Sequence, residues 1–527
     1  MKSRRRLKLA TGRRALFRIT ESARRELQKL VFQRHPHREW GTFFRFGFRR
    51  TSWGLAISYV DALPPIAGDL DRTSGIVSFH PDYIDRILDE LDSTRLAIGV
   101  IHSHPLGGEV TPSGLDNDMD HHFGEELFPP FAPQRPYASL IVNLDASGEL
   151  VFSGRVLLDG EWLPISTLFS GGEQLVKIRS DLNPDLPPPF GVDSAEILRR
   201  WISLVGDAKA NSLRSSVIGV VGCSGTGSPA VESLARAQVG EFVLIDPDHL
   251  SISNIERLHG SRLADLKDGK NPYKVQLMAR LIREVNPDCK LTLISGNSMD
   301  ELSMNELLRC DIVLFCTDTV HGRVHAGDLA SRFLVPVIDV GVLPEGKDGK
   351  MSSQMIEIMR LSPEDPCGFC RDRIDALELH RELLSPGEIE LAKMEAKEAE
   401  RRGDRGDTYW KDKLPQLPSV GYLTTCAGSL TAGYALNWIL GTAKMPHAHF
   451  QMDIGLPSFG FTPIENELNP GCSCCLFRGH SDQGEFSITM PSHFQPASFV
   501  QEAMASALDK KSEPRWKSLF RWMGLLR

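Results

Sequence analysis

The sequence predicts an α/β chain with two principal domains. Three observations carry this. Ser216–Val221 reads as a buried strand ending in a glycine-rich turn, followed by a helix over Ser228–Gln238 and a strand over Glu241–Asp246. That βαβ unit opens a mostly parallel, Rossmann-like sheet. Upstream, the partly β-branched apolar runs Leu55–Val60 and Ala97–His102 read as strands. Between them Ile84, Ile87, Leu88 and Leu91 fall at helical spacing behind Pro81, which predicts an amphipathic helix in a separate α/β unit. Ser180–Ser194, SDLNPDLPPPFGVDS, divides the two. Its prolines fix φ and remove backbone donors, so an extended linker is expected.

In chain order, residues 1–14 form a basic tail, 15–179 the first domain, 180–194 the linker, 195–480 the second domain and 481–527 an extension. Ala138–Val142 and Val151–Leu158 add strands to the first domain, Asp311–Phe315 and Val335–Asp339 to the second. Residues 380–413 read as a charged, helix-prone insertion. At 527 residues the chain is long enough for two or three domains of roughly 100–200 residues. A net charge of −8 gives no sign of nucleic-acid binding. No apolar run reaches the ~18 residues of a membrane span. The N-terminus lacks the apolar core of a signal peptide, so a cytoplasmic protein is expected.

The first domain carries His102-Ser103-His104-Pro105, then Ser113 and Asp116. Two histidines one residue apart at a strand end share a face, so both imidazoles reach one ion. Asp116 supplies a third ligand from the first turn of a helix that Ser113 would cap. Three protein ligands plus a water position make a catalytic zinc site, with the water pKa lowered toward about 7. Glu39 is the candidate general base, and Ser113 the hydrogen-bond donor to a tetrahedral oxyanion. His35, His37, His121 and His122 read as surface residues, Asp118 and Asp120 as a solvated helix face.

With these residues in order, 15–165 resembles the JAMM (MPN-type) metalloproteases. The resemblance implies cleavage of peptide or isopeptide bonds at the C-terminus of ubiquitin-like proteins. The loop between His104 and Ser113 is one residue longer than that family's pattern.

The second domain carries Gly222-Cys223-Ser224-Gly225-Thr226-Gly227. Such a turn brings backbone amides and a helix N-terminus to phosphates. Asp246 ends the next strand, where a carboxylate reaches ribose hydroxyls. Asp248, Asn254, Arg257 and Lys274 follow, the last two suited to triphosphate charge. Asp318, after the apolar strand DIVLF, is placed to hold magnesium. Cys367-x-x-Cys370 and Cys472-x-x-Cys475 supply four thiolates for a closed, structural zinc. Cys474 reads as a spectator or an alternative ligand.

Over 195–480 this constellation resembles the ThiF/MoeB and ubiquitin-activating adenylyltransferases. The resemblance implies ATP, Mg²⁺ and attack on the ATP α-phosphate by the C-terminal carboxylate of a ubiquitin-like or sulfur-carrier protein. It implies a homodimer in which an early arginine, Arg199 or Arg200, reaches the partner's ATP. A catalytic cysteine is expected in the crossover segment, near Leu414, where there is none. Cys426 is the nearest candidate and also reads as a buried core residue.

Together the two resemblances imply a bifunctional enzyme that trims or releases a ubiquitin-like protein and adenylates it for protein modification, as in bacterial ubiquitin-like pathways. A conjugating enzyme or a sulfur donor would follow. The alternative is a sulfur-carrier route in cofactor or cysteine synthesis, and the third reading is a non-catalytic scaffold.

Overall fold

The structure, a computed structural model, describes residues 7–35, 37–71, 78–105, 109–181, 196–267, 271–403, 419–443, 445–455, 459–489, 491, 494 and 499–502. Most of the 180–194 linker, the Leu414 region and the amphipathic C-terminal tail lie outside them.

Arg14–Arg179 folds around one mixed sheet. Its strands are β1 (Arg14–Thr20), β2 (Trp40–Thr51), β3 (Gly54–Leu63), β6 (Ala97–Ser103), β7 (Tyr137–Leu144), β8 (Leu150–Leu158), β9 (Glu161–Gly171) and β10 (Leu175–Arg179). β4 (Leu70–Asp71) and β5 (Ser78–Phe79) form a small separate ribbon. The order is β1-β3-β2-β6-β7-β8-β9-β10, and β1 also pairs with β9, closing the sheet into a barrel-like ring.

Helix α1 (Glu21–Val31) is capped by Thr20 and buries Leu27 and Val31 beside Phe17, Phe44 and Phe46. Helix α2 (Pro81–Ser93) starts on proline, which loses no helical bond there. It buries Tyr83, Ile87 and Leu91 against Phe43 and Phe123. Helix α3 (Gly114–His121) continues into a π-helical turn, His122–Leu127.

The second sheet has the order β18-β17-β16-β15-β14-β11-β12-β13-β19. β11 (Val217–Val221), β12 (Glu241–Ile245), β13 (Lys290–Ser295), β14 (Ile312–Phe315) and β15 (Val337–Lys347) run parallel. β16 (Lys350–Leu361), β17 (His449–Asp453) and β18 (Gly460–Pro463) extend one edge and β19 (Phe499–Glu502) the other, all antiparallel. Strand order reverses direction at β11, whose neighbours are β12 and β14, and the crevice at such a switch point is where ligands bind.

Helices α4 (Arg199–Val205) and α5 (Asp207–Arg214) lead into this unit. Then come α6 (Gly227–Arg236), α7 (Lys274–Val285), α8 (Glu301–Leu307), α9 (Val320–Arg332), α10 (Ala376–Leu383), α11 (Pro386–Arg401) and α12 (Gly421–Leu440). α6, α7 and α12 pack on one face; α8 and α9 pack on the other. The predicted charged insertion is α11 with the end of α10, followed by residues outside those described.

The two units share a polar, buried junction. Arg18, 2% exposed, donates to the carbonyls of Cys310 (2.5 Å) and Leu308 (3.3 Å). Burial pushes its pKa down to about 10. Lys177 Nζ pairs with both Asp311 oxygens at 2.8 and 2.9 Å, and Trp438 Nε1 donates to Gly172 at 3.2 Å. These contacts satisfy Arg18 Nη2, the buried Asp311 carboxylate and the Trp438 indole, while Arg18 Nε and Nη1 have no hydrogen-bond partner among the described residues.

Candidate functional site

In the first unit, His102 is the penultimate residue of β6 and His104 follows the strand, their rings 5.3 Å apart. Asp116 enters from the first turn of α3. Ser113 is the N-cap: its Oγ accepts from Asp116 N–H (3.2 Å), and Ser113 N–H donates to Asp116 Oδ2 (2.6 Å). That reciprocal capping box fixes the carboxylate. Asp116 Oδ1 lies 3.2 Å from His102 Nε2, without hydrogen-bond geometry, and Oδ2 lies 3.8 Å from His104 Nε2.

The ligand atoms of these three buried residues fall within 4.8 Å of one another. Both ring nitrogens of His102 are buried with no hydrogen-bond partner among the described residues. Orphaned nitrogens of this kind are costly unless something fills them. Burial works to raise the Asp116 pKa, but His102 and Ser113 hold its carboxyl below the ordinary value. Two imidazoles and an anionic carboxylate converging on one point fit a zinc ion with an open position.

Glu39 immediately precedes β2, where Trp40 pairs with Ser103 and Gly41 with His102. The register thus carries Glu39 to the strand end beside His104, half-buried. Asp120 corrects the sequence reading: it is fully buried, not solvated. It accepts from Arg155 Nε (2.6 Å) and Tyr137 Oη (3.1 Å), while Arg155 Nη1 donates to Asn117 (2.6 Å). Asp118 is exposed as expected.

In the second unit the glycine-rich turn joins β11 to α6. Gly222 has φ +88, and a Cβ there would sit 2.6 Å from the Cys316 carbonyl; one on Gly227 would sit 1.9 Å from the Gly222 carbonyl. Only glycine fits at these two positions, and the tight turn they allow brings the N-terminus of α6 up to the end of β11, where phosphates bind.

Asp246 Oδ2 accepts from Cys223 N–H (2.7 Å) and Oδ1 from Asp248 N–H (2.9 Å). Lys274 Nζ lies 2.7 Å from Asp248 Oδ2 and 3.8 Å from Asp246 Oδ1. Burial disfavours the ammonium, yet the two facing carboxylates hold its pKa above the ordinary value. Burial pushes the Asp246 carboxyl up, with Lys274 opposing.

Asn254 Oδ1 accepts from Ser251 N–H at 2.9 Å, shaping the loop before Arg257. Arg257 packs on the turn: a Cβ on Gly225 would lie 3.0 Å from its Cδ. Asp318 is exposed between β14 and α9. The turn therefore has beside it a ribose-level carboxylate, two cations and an exposed carboxylate, a set that fits Mg-ATP.

Arg200 is not brought to this crevice within one chain. It lies on α4, which packs on α5, and Lys209 of α5 donates to Gly441 at the far end of α12. Cys426 lies inside α12, half-buried against the core, not on a crossover loop. Sequence reasoning missed Glu256, which accepts from Gly421 N–H at 2.5 Å and so sets α12 against the turn. The partners are 165 residues apart, and no local signal links them.

Cys367 Sγ lies 3.5 Å from Cys472 Sγ and 3.8 Å from Cys370 Sγ, and Cys370 lies 3.7 Å from Cys475. The four cysteines form a closed cluster that can hold a structural zinc. Cys474, 1% exposed, packs on α9, where a Cβ on Gly327 would come within 3.6 Å of its Sγ.

A βαβ turn, a ribose-level acid and a four-thiolate cluster on one α/β sheet define a nucleotide-binding enzyme fold with a cysteine cluster able to hold a metal. A family model, the ThiF family, matches residues 198–474, more than half of the chain, and the chain belongs to that family.

Relatives include the sulfur carrier protein ThiS adenylyltransferase of Escherichia coli, 31% identical over 153 residues, which are 29% of this chain and 58% of that protein. The tRNA threonylcarbamoyladenosine dehydratase of E. coli is 27% identical over 166 residues, 31% of this chain and 59% of its own length. The SAMP-activating enzyme E1 of Haloferax volcanii is 27% identical over 167 residues, 32% and 57% respectively. The chain thus spans less than three-fifths of these relatives.

Among solved structures, E. coli MccB with MccA-N7isoASN aligns at a TM-score of 0.41 and 17% identity, covering 53% of this chain and 74% of that one. Selenomethionine PaaA aligns at 0.39 and 19%, covering 54% and 86%. No described helix is long and apolar enough to cross a membrane.

Proposed function

We propose that this chain adenylates the C-terminal carboxylate of a ubiquitin-like or sulfur-carrier protein with Mg-ATP, and that its first unit is a zinc-dependent, JAMM-type peptidase that trims or releases such a carrier for protein modification. The adenylation reading is carried by the convergence of Asp246, Asp248 and Lys274 beside the Gly222–Gly227 turn. Two relatives named for the carriers they activate, ThiS and SAMP, support the carrier class. Lys274 and Arg257 would neutralise the triphosphate, the turn amides would hold its phosphates, and Asp318 would hold the magnesium.

The peptidase reading is carried by the orphaned, buried ring nitrogens of His102 beside Asp116. Zinc held by His102, His104 and Asp116 would supply a polarised water. Glu39 would take its proton, and the Ser113 hydroxyl would donate to the oxyanion.

Each site can be placed along an element that carries one contact between the two units. Thr424 touches Gly225 at one end of α12, and Trp438 meets the first unit 14 residues later. At the helical rise this puts the phosphate turn roughly 21 Å from that contact. Gly41, beside His102, is six strand residues from Gly47, which binds Gly479, roughly 20 Å. A homodimer through the second unit, with Arg200 reaching the partner's nucleotide, is the assembly this reading favours.

Intact-mass analysis tests both activities together. The protein is incubated with Mg-ATP and a carrier, either mature or extended beyond its terminal glycine, with and without reductant. Trimming of the extended form and an AMP adduct on the mature form are expected. An untrimmed extended carrier removes the peptidase reading, and absence of adduct removes the adenylation reading. A reductant-sensitive adduct would favour Cys426 as an acceptor and so protein modification over sulfur transfer.

A further inference from the structure

The strand order gives the nucleotide crevice a polarity. Asp246 follows β12, the glycine-rich turn follows β11 and Asp318 follows β14, so ribose, phosphate and magnesium positions step across the sheet in that order. The nucleoside takes the β12 side. An acid attacking the α-phosphate comes from the other side, where the next strand is β15.

β15 carries Asp339, paired with Phe315, three residues before Asp318. Asp339 is 1% exposed, and its Oδ1 has no hydrogen-bond partner among the described residues. Its Oδ2 lies 3.8 Å from Nη1 of Arg323 on α9. Arg323 lies over Gly341, where a Cβ would come within 2.7 Å of its Nη2.

Glu357 stands opposite Gly341. Its Oε1 is already taken by His449 (2.9 Å), Gln451 (2.9 Å) and Arg373 (3.1 Å). Arg323 is thus a partly exposed cation five residues past Asp318, tethered to a buried acid at long range. An ion pair this loose is a poor return for a fully buried carboxylate if stability were its purpose. It does keep a guanidinium aimed along β15 with donors to spare.

We infer that Arg323 hydrogen-bonds the reacting acyl oxygen of the acid being activated, and that Asp339 positions its guanidinium. This rests on the adenylation reading above. In the step, a carboxylate oxygen bonds to the α-phosphorus and the bond from that phosphorus to the α,β-bridging oxygen breaks. The electron pair leaves with pyrophosphate, and no proton or redox partner is required. The other acyl oxygen stays on Arg323, as carboxylate before the step and carbonyl after it.

Calorimetric titration of the full chain with AMP and with glycylglycyl-sulfamoyladenosine, an acyl-adenylate analogue, separates the acyl contacts from the nucleoside contacts. The readout is the ratio of the two affinities within each protein. The unsubstituted chain is expected to favour the analogue at least 100-fold. Arg323→Gln should lose at least tenfold of that ratio and Asp339→Asn at least threefold. Arg323→Lys should fall between the unsubstituted chain and Arg323→Gln, and it decides the matter if Arg323→Gln does not fold. Substituted proteins that keep the full ratio, or an unsubstituted chain that binds AMP with no preference for the analogue, overturn the assignment. An unsubstituted chain that binds neither AMP nor ATP overturns the adenylation reading instead.

Discussion

His104 donates from Nδ1 to the carbonyl of Glu109, 2.6 Å away, and this turns its Nε2 toward Asp116. A carbonyl only accepts, so the proton resides on Nδ1 and Nε2 presents a lone pair. Metal-bound histidines are commonly oriented by such a second contact. The expected zinc content is therefore two ions per chain, one here and one on the four cysteines. His102→Ala, whose ring makes no hydrogen bond among the described residues, should reduce it to one. Cys472→Ser should remove the other ion and lower stability by about 2 kcal/mol or more, since a closed zinc cluster contributes folding energy. Elemental analysis of the purified proteins decides. Two ions retained in the His102 variant would sink the three-ligand site.

Asp120 and Arg155 hold the helix that presents Asp116. Both are buried, 0% and 5% exposed, and Arg155 also binds Asn117, the neighbour of Asp116. Asp120→Ala should destabilise the protein by roughly 3–5 kcal/mol, because it strands a buried guanidinium. Replacing both at once, Asp120→Leu with Arg155→Met, should recover much of that loss, since a buried ion pair often only breaks even against packed apolar groups. Urea unfolding of the single and double variants measures it. A double variant no more stable than Asp120→Ala would mean the pair contributes more than mutual neutralisation.

Asp120 also shows where sequence reading stops. The ordered set Asp246, Asp248, Asn254, Arg257 and Lys274 is local, spread along one βαβ unit, and its spacing is visible in the chain. The His-x-His pair and the Ser113 cap are legible for the same reason: strand and helix periodicities dictate which side chains share a face. Asp120 lies one helical turn after Asp116 and so faces inward with it. What makes that tolerable is Arg155 on β8, 35 residues on, and a carboxylate in an acidic-looking segment reads as solvated until that partner is known. Glu256 with Gly421, and Asp339 with Arg323, depend on tertiary approach in the same way.

Asp318 is exposed at the mouth of the crevice, so its substitution should separate chemistry from folding. Asp318→Ala should unfold within about 2 °C of the unsubstituted chain, because surface changes away from packed features cost little. Carrier-dependent ATP–pyrophosphate exchange should fall at least 100-fold. Exchange at an undiminished rate would remove Asp318 from magnesium binding.

His325 makes stability depend on pH on the neutral side of acid unfolding. It is fully buried in α9, with Nδ1 2.8 Å from Ser298 Oγ and Nε2 3.0 Å from Met304 Sδ. Burial lowers its pKa from 6.5 to about 3, aided by His321 and Arg49. The unfolded chain therefore binds a proton below pH 6.5 that the folded chain refuses. This contribution is fully present above about pH 6.5. It is lost as pH falls toward about 3, at up to ~1.4 kcal/mol per pH unit. Urea unfolding at pH 7.5 and pH 5 should show a drop that His325→Asn reduces by about 2 kcal/mol, since an amide does not titrate. The variant will be less stable than the parent at pH 7.5, so the diagnostic quantity is the difference between the two pH values. An equal drop in both proteins would place the acid sensitivity on other groups.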